Sequence, residues 1–410
     1  MALTMTFRMS ALAAFVLATL PVAGHGQTPA QQQPTFRASS DLVLIDTQVV
    51  GRDGSPITGL KADQFEVSID GRKRPVLSAE FSGASIGTST SAAPSAPTTT
   101  GAPATTPTQD GRVVVIGVDQ GSFPTSTRAS AKEAATRILD RVSPNDYVGL
   151  IAFPGNTEIA PTRDRTAVRA AIGRINGLRM ESLSTRFNIS ATEALQLRAR
   201  TSMATTEVVD RECRREPGQA CTQEVINVGT SIADVLEQQA AMSLSGLRGV
   251  VDAMGSLPGR KTLIVVSAGL PMSNQPGARL NIDNETARIA LRAEAVNINL
   301  YVFYMNVHFL TYFSPQYGKI NHSIFDDVFL FGTGLEKFAD AGGGAFFQIE
   351  VDPNPFVDRV MRETSAGYVL GVQAEPGMRD GKEHTIRVTV KQKNTSVRYR
   401  HVVTIPRGGL

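Results

Sequence analysis

Apolar residues along this chain follow three successive spacing rules. Between positions 41 and 82 they come in short runs: Leu42 to Ile45, Val49-Val50, then Phe65, Val67 and Ile69 alternating with polar neighbours. Alternation with period two puts every second side chain on one face of a sheet. Asp53-Gly54 and Asp70-Gly71 are dipeptides that accept the left-handed backbone of tight turns, so this region predicts short antiparallel strands.

The grammar changes at Arg112. Val113 to Val118 is a continuous apolar run, as expected for a strand covered on both faces of a parallel sheet. Ala131, Ala135, Ile138, Leu139 and Val142 then recur at helical spacing. Strand-like and helix-like segments continue to alternate: 147–153, 164–178, 262–267, 281–295, 298–304, 334–341, 345–349 and 354–364. That order predicts an α/β domain over residues 111–365, a doubly wound, mostly parallel sheet. An insert over about 180–255 is too long for a connection. Its two breaker-poor arms, 189–212 and 223–254, predict a long helical hairpin. From 366 to 406 the pattern returns to strands, at 368–372, 384–390 and 397–405. The simplest arrangement joins these to residues 41–82 in one small β-sandwich-like domain, with the α/β domain inserted between.

Composition divides the rest. Residues 83–110 are nearly all Ser, Thr, Ala, Pro and Gly, too polar to offset ordering entropy, so they predict a linker, as do 27–40. Arg8, the apolar run Ala11 to Val22 and the small residues before Gln27 read as a secretory signal peptide over 1–26. A periplasmic or secreted protein follows, with no membrane span in the mature chain. The formal charge is only +3, and Glu212 and Glu216 interleave with Arg211, Arg214 and Arg215, so there is no electrostatic footprint for nucleic acid. Cys213 and Cys221 are the two cysteines. They form either a buried free pair or a disulfide, and an oxidising compartment favours the disulfide.

Four stretches resemble one family. Val49 to Ile69 with Asp70-Gly71, Pro258 to Gly269 (PGRKTLIVVSAG), Ala339 to Phe347 (ADAGGGAFF) and Ala366 to Val372 (AGYVLGV) are together similar to the VWA-related (von Willebrand factor type A-like) proteins abundant in Acidobacteria. The resemblance implies a VWA/Rossmann-like fold and export, and the helical insert is of a kind this family shows. It also implies where a divalent cation would sit: an Asp-x-Ser-x-Ser motif after the first strand, a Thr from a later loop and an Asp after the fourth strand. Here the first loop reads Asp119-Gln120-Gly121-Ser122-Phe123, so Gly121 and Phe123 stand where the serines would be, and Ser267-Ala268-Gly269 has no Asp. Asp119, Ser122 and Thr185 are the candidate ligands for Mg²⁺ or another divalent cation. The alternative is that Asp119 caps the following turn.

For function, the expectation is a protein-binding module without catalysis. Its contacts would lie at the carboxyl ends of the sheet around Asp119, Gly121, Ser122 and Ser267, on the loops 119–125 and 268–277. One alternative is a metal-dependent adhesion protein with a degenerate cation site at Asp119; another is an extracytoplasmic hydrolase using His308 or His322 with Asp326 or Asp327, an acid-base set in an aromatic-rich stretch. Neither a Gly-x-Ser-x-Gly elbow nor a phosphate-binding Gly-Lys-Ser/Thr loop occurs in the sequence.

Overall fold

The computed structural model describes residues 42–83, 112–179, 186–257, 261–273, 277, 281–307, 324–350, 352–399 and 401–405. The segments 1–26, 27–40 and nearly all of 83–110, together with Thr185, Pro258 to Arg260, His308 and His322, lie outside the described residues.

Four strands come first: β1 (Leu42–Gly51), β2 (Phe65–Ile69), β3 (Arg72–Arg74) and β4 (Val76–Gly83). The central sheet then takes β5 (Val113–Asp119), β6 (Tyr147–Phe153), β7 (Thr157–Thr162), β8 (Lys261–Ser267), β9 (Ile298–Met305) and β10 (Ala345–Ile349). Its strand order is β10-β9-β8-β5-β6-β7. Every pairing is parallel except β6 with β7. All of β5 and β8 is buried, which is why both read as unbroken apolar runs.

Helices cover both faces of that sheet. One face takes Val114, Ile116 and Val118 of β5 with α1 (Arg128–Arg141), α2 (Arg165–Gly173) and α8 (Asn354–Thr364). The other takes Val113 and Val115 with α3 (Ala191–Ala199), α5 (Gln219–Gly255), α6 (Asp283–Ala295) and α7 (Ile324–Ala341), while α4 is Ser202–Glu212. Alternate residues of one strand thus feed opposite cores. Local signals start two of the helices: Asp164 accepts from Thr166 N and Ala167 N at α2, and Ser190 with Glu193 forms a reciprocal capping box at α3.

The insert departs from a plain hairpin. Arg200 adopts a left-handed conformation, φ 53°, and splits the first arm into α3 and α4. The second arm is longer than the spacing predicts, 37 residues, and buries Leu236, Ala240, Leu244, Leu247, Val250, Val251 and Met254 against the sheet. Truncating any one of the large side chains in this stripe would cost about 2–5 kcal/mol. Cys213 and Cys221 form a disulfide where α4 meets α5.

The closing strands are β11 (Ala366–Gln373), β12 (Glu383–Val390), β13 (Thr395–Tyr399) and β14 (Val402–Thr404). They combine with the opening strands into two antiparallel sheets, β13-β1-β11-β4 and β14-β12-β2-β3. The inner faces share a core of Val43, Ile45, Val49, Tyr368 and Leu370 from the first with Phe65, Val67, Ile69, Ile386 and Val388 from the second. The single expected strand at 397–405 is in fact two, which pair in different sheets. Polar contacts tie this body to the α/β body: Arg398 to Glu363, His401 to Glu294 and Arg362 to the Asp53 carbonyl.

Candidate functional site

β5 lies at the centre of the sheet, and its two neighbours, β6 and β8, are reached in opposite directions. This is the topological switch point, where the loops leaving adjacent strands diverge and leave a crevice at the carboxyl edge. Asp119 ends β5 there and Ser267 ends β8. The residues 120–122 form a short 3-10 turn whose Ser122 faces back into the same spot.

The side chains converge. Oδ2 of Asp119 accepts hydrogen bonds from Ser267 Oγ at 3.0 Å and from Ser243 Oγ of α5 at 2.8 Å. Ser122 Oγ donates to the Asp119 carbonyl at 2.7 Å and accepts from Ala268 N at 2.8 Å, stitching the β5 and β8 loops together. Asp119 does not cap the 3-10 turn with its side chain, contrary to the capping alternative. The amides of Gly121 and Ser122 lie close enough to favour the carboxylate, yet Oδ1 is buried without a well-aligned hydrogen-bond partner.

Desolvation dominates the electrostatics. Asp119 is 1% exposed, and burial pushes its pKa up to about 7 against the opposing effect of the Ser243 and Ser267 hydroxyls. Gln120, Ser122 and Ser267 are buried with it, as are Ala268, Leu270 and Met272 of the second loop. The cover is α5. Gly246 of that helix rests on the Phe153 ring so closely that an added Cβ would come within 2.1 Å of it. The structure therefore brings Asp119, Gly121, Ser122 and Ser267 together, and it seals them beneath a helix rather than opening them to solvent.

A hard divalent cation needs about six oxygen ligands in near-ideal geometry. Here one carboxylate is available, both Ser122 and Ser267 are engaged in hydrogen bonds, and Phe123 belongs to the core at 0% exposure. The donor set does not fit a cation in this arrangement. Among the described residues, no group of three or more His, Cys, Asp or Glu could hold a metal.

The other candidates are dispersed. Asp327 is buried in α7 and accepts from Ala191 N and Thr192 N, so it caps α3; burial raises its pKa to about 6. Its neighbour Asp326 lies on the exposed side of the same first turn. In the sandwich, Nδ1 of His384 meets Asp70 Oδ2 at 2.7 Å and its Nε2 meets Asp380 Oδ1 at 3.2 Å.

Two features of the structure are not anticipated by the sequence. Ser243 is one; its only trace is a hydroxyl within the buried stripe of α5, between Ala240 and Leu244. The other is a polar cleft between the two bodies, for which the trace is the run Asp46-Thr47-Gln48 between the apolar ends of β1.

No family model matches the chain, and no curated protein matches it. Among the described residues no helix is long and apolar enough to cross a membrane. Among solved structures, the conserved hypothetical protein BatB from Bacteroides thetaiotaomicron is similar to this chain, at 14% identity and a TM-score of 0.30, over 62% of this chain and 98% of that one. What stands is a mixed α/β chain with a mostly parallel six-stranded sheet and two antiparallel sheets, of which BatB is a distant structural neighbour.

Proposed function

We propose that the protein is an exported, VWA-like binding module without catalytic activity, which engages a protein partner outside the cytoplasm through the carboxyl edge of its parallel sheet. The observation that carries the reading is the convergence of Asp119, Ser122 and Ser267 from two strand ends at the switch point, under Ser243 of α5. Open α/β sheets place their ligands at this crevice. The disulfide at Cys213 and Cys221 is in keeping with an oxidising compartment.

Two details favour binding over catalysis. Asp119 is shut away from any substrate, and Asp327, the buried carboxylate of the hydrolase reading, is spent on the N-terminus of α3. With the crevice shut, a partner reaches it only when α5 shifts, so the closed form is the resting state of this reading.

The test is capture of partners from the producing cell's envelope by the immobilised mature chain, against Ser243→Arg, whose bulk forces α5 away from Asp119, and against a version with residues 120–125 replaced. Circular dichroism controls for folding. The reading expects Ser243→Arg to change the amount captured and the loop replacement to abolish capture; identical capture by all three proteins defeats it. Calorimetry with Mg²⁺ on the wild type is a separate arm, and the donor set predicts no saturable heat.

A further inference from the structure

The two bodies meet at an open polar cleft. One wall is β1 and β13 of the sandwich, where Gln48 stands directly opposite Arg398 in the antiparallel register. The other wall is the end of α6 and the start of β9, with Glu294, Asn297 and Asn299. Apart from glycines, Ile298 and Tyr399, the lining is polar.

Buried polar groups normally have partners. Here they do not: Gln48 is 3% exposed with neither amide atom bonded, and Oε2 of Glu294, Oδ1 of Asn297 and Nδ2 of Asn299 are buried without hydrogen-bond partners. Each such atom carries an uncompensated desolvation penalty, and their concentration around one cleft marks a place that a ligand would complete.

The charges are distributed with a polarity. Glu363 is shared by two guanidinium groups, Arg359 at 2.8 Å and Arg398 at 3.1 Å, so these three groups together carry one net positive charge. On the other side Glu294 gives Oε1 to the backbone N–H and ring Nδ1 of His401, keeping Oε2 free at the end of α6. That helix C-terminus adds a partial negative charge. Asp46 of β1, on the same wall as Gln48, is the other lining carboxylate.

We infer that this cleft binds a small zwitterion of the amino-acid class, its carboxylate received by Arg398, Gln48 and Asn299 and its ammonium by Glu294 and Asn297. A single anion would meet Glu294 unpaired, and a single cation would leave the amide donors of Gln48 and Asn299 unmet. A molecule carrying both charges satisfies each set. The site is separate from the carboxyl-edge crevice, being built at the opposite end of β9 from its last residue, Met305.

The experiment is isothermal titration of the full mature chain with glycine and L-alanine, whose only polar groups are the two charges. Propionate, ethylammonium and glycerol serve as single-feature controls. The proposal expects saturable heat from the zwitterions alone, and at least a tenfold loss of affinity in Gln48→Leu with an unchanged melting temperature. Asn299→Ala is the second variant, in case the first fails to fold, and the same loss is expected. Absence of heat from both zwitterions at 10-fold molar excess and millimolar protein overturns it. So does equal heat from any one control, or undiminished binding in a folded variant.

Discussion

Replacing Asp119 with Asn tests the burial argument directly. In the folded chain the carboxyl keeps its proton until about pH 7, whereas in the unfolded chain it ionises near 3.8. The folded pKa is raised, so the contribution of this group is fully present below pH 3.8 and is lost as pH rises to about 7. The size follows from the interval: a pKa moved from 3.8 to about 7 corresponds to about 4 kcal/mol, at about 1.4 kcal/mol per tenfold change. Asn cannot ionise, so Asp119→Asn removes this slope and leaves a constant offset from its altered hydrogen bonding. Titrations of all other groups cancel when variant is compared with wild type. Urea unfolding followed by circular dichroism at half-unit steps from pH 4.5 to 8 should show the variant gaining several kcal/mol on the wild type as pH rises, with a plateau above about 7.5. A difference that stays flat across that range would refute the reasoning, because Asp119 would then titrate alike in both states.

Three further outcomes follow from particular contacts. Gly246→Ala pushes a methyl to within 2.1 Å of the Phe153 ring, and overpacking of this kind costs about 1–3 kcal/mol; a urea midpoint equal to that of the wild type would show that α5 yields freely. Tyr368→Phe removes a hydroxyl that donates to the Ile57 carbonyl at 2.8 Å and accepts from Leu60 N at 3.0 Å. The loss expected is about 1–3 kcal/mol because Leu60 N is left buried and unpaired, read as a lowered melting temperature. His384 is held above its usual pKa by Asp70 and then by Asp380, so its share of sandwich stability is complete below about pH 6.5 and fades as pH rises through the raised value. His384→Leu should therefore lose most against the wild type at pH 6 and less at pH 9 in thermal unfolding, and the opposite trend would reverse the assignment.

Much of the architecture was legible because burial on both faces leaves an unmistakable mark. Val113 to Val118 reads as a central strand since no polar residue is tolerated there, and the α1 stripe of Ala131, Ala135, Ile138 and Leu139 survives intact in the core. The misses have physical causes. Thr157 to Thr162 was not expected as a strand; it is an edge strand, part-exposed throughout, and its Pro161 weakens the pattern. The helix α7 begins at Ile324 rather than Gly334 because Phe325 and Phe329 are exposed at 78% and 72%, so the aromatic residues did not reveal one helical face. For the site, Asp119 and Ser267 are singled out by the motif positions that the family resemblance implies, whereas its closure is not: a serine on a helix more than a hundred residues away supplies the lid contact, and no local pattern encodes that pairing.

β4 and β11 are adjacent antiparallel partners, with Gly83 opposite Ala366, so the whole α/β body occupies the position that a turn would fill in an ordinary hairpin. Its departure and return points are held a single strand spacing apart, about 4.8 Å, and on the return side only Ser365 separates α8 from β11. The same two bodies are also joined by the Arg398–Glu363, His401–Glu294 and Arg362–Asp53 contacts, so Ser365 is a short covalent link within one compact unit. Ser365→Pro would remove the N–H that donates to the Arg362 carbonyl at 3.1 Å, and the change would pass directly to Ala366 at the start of β11.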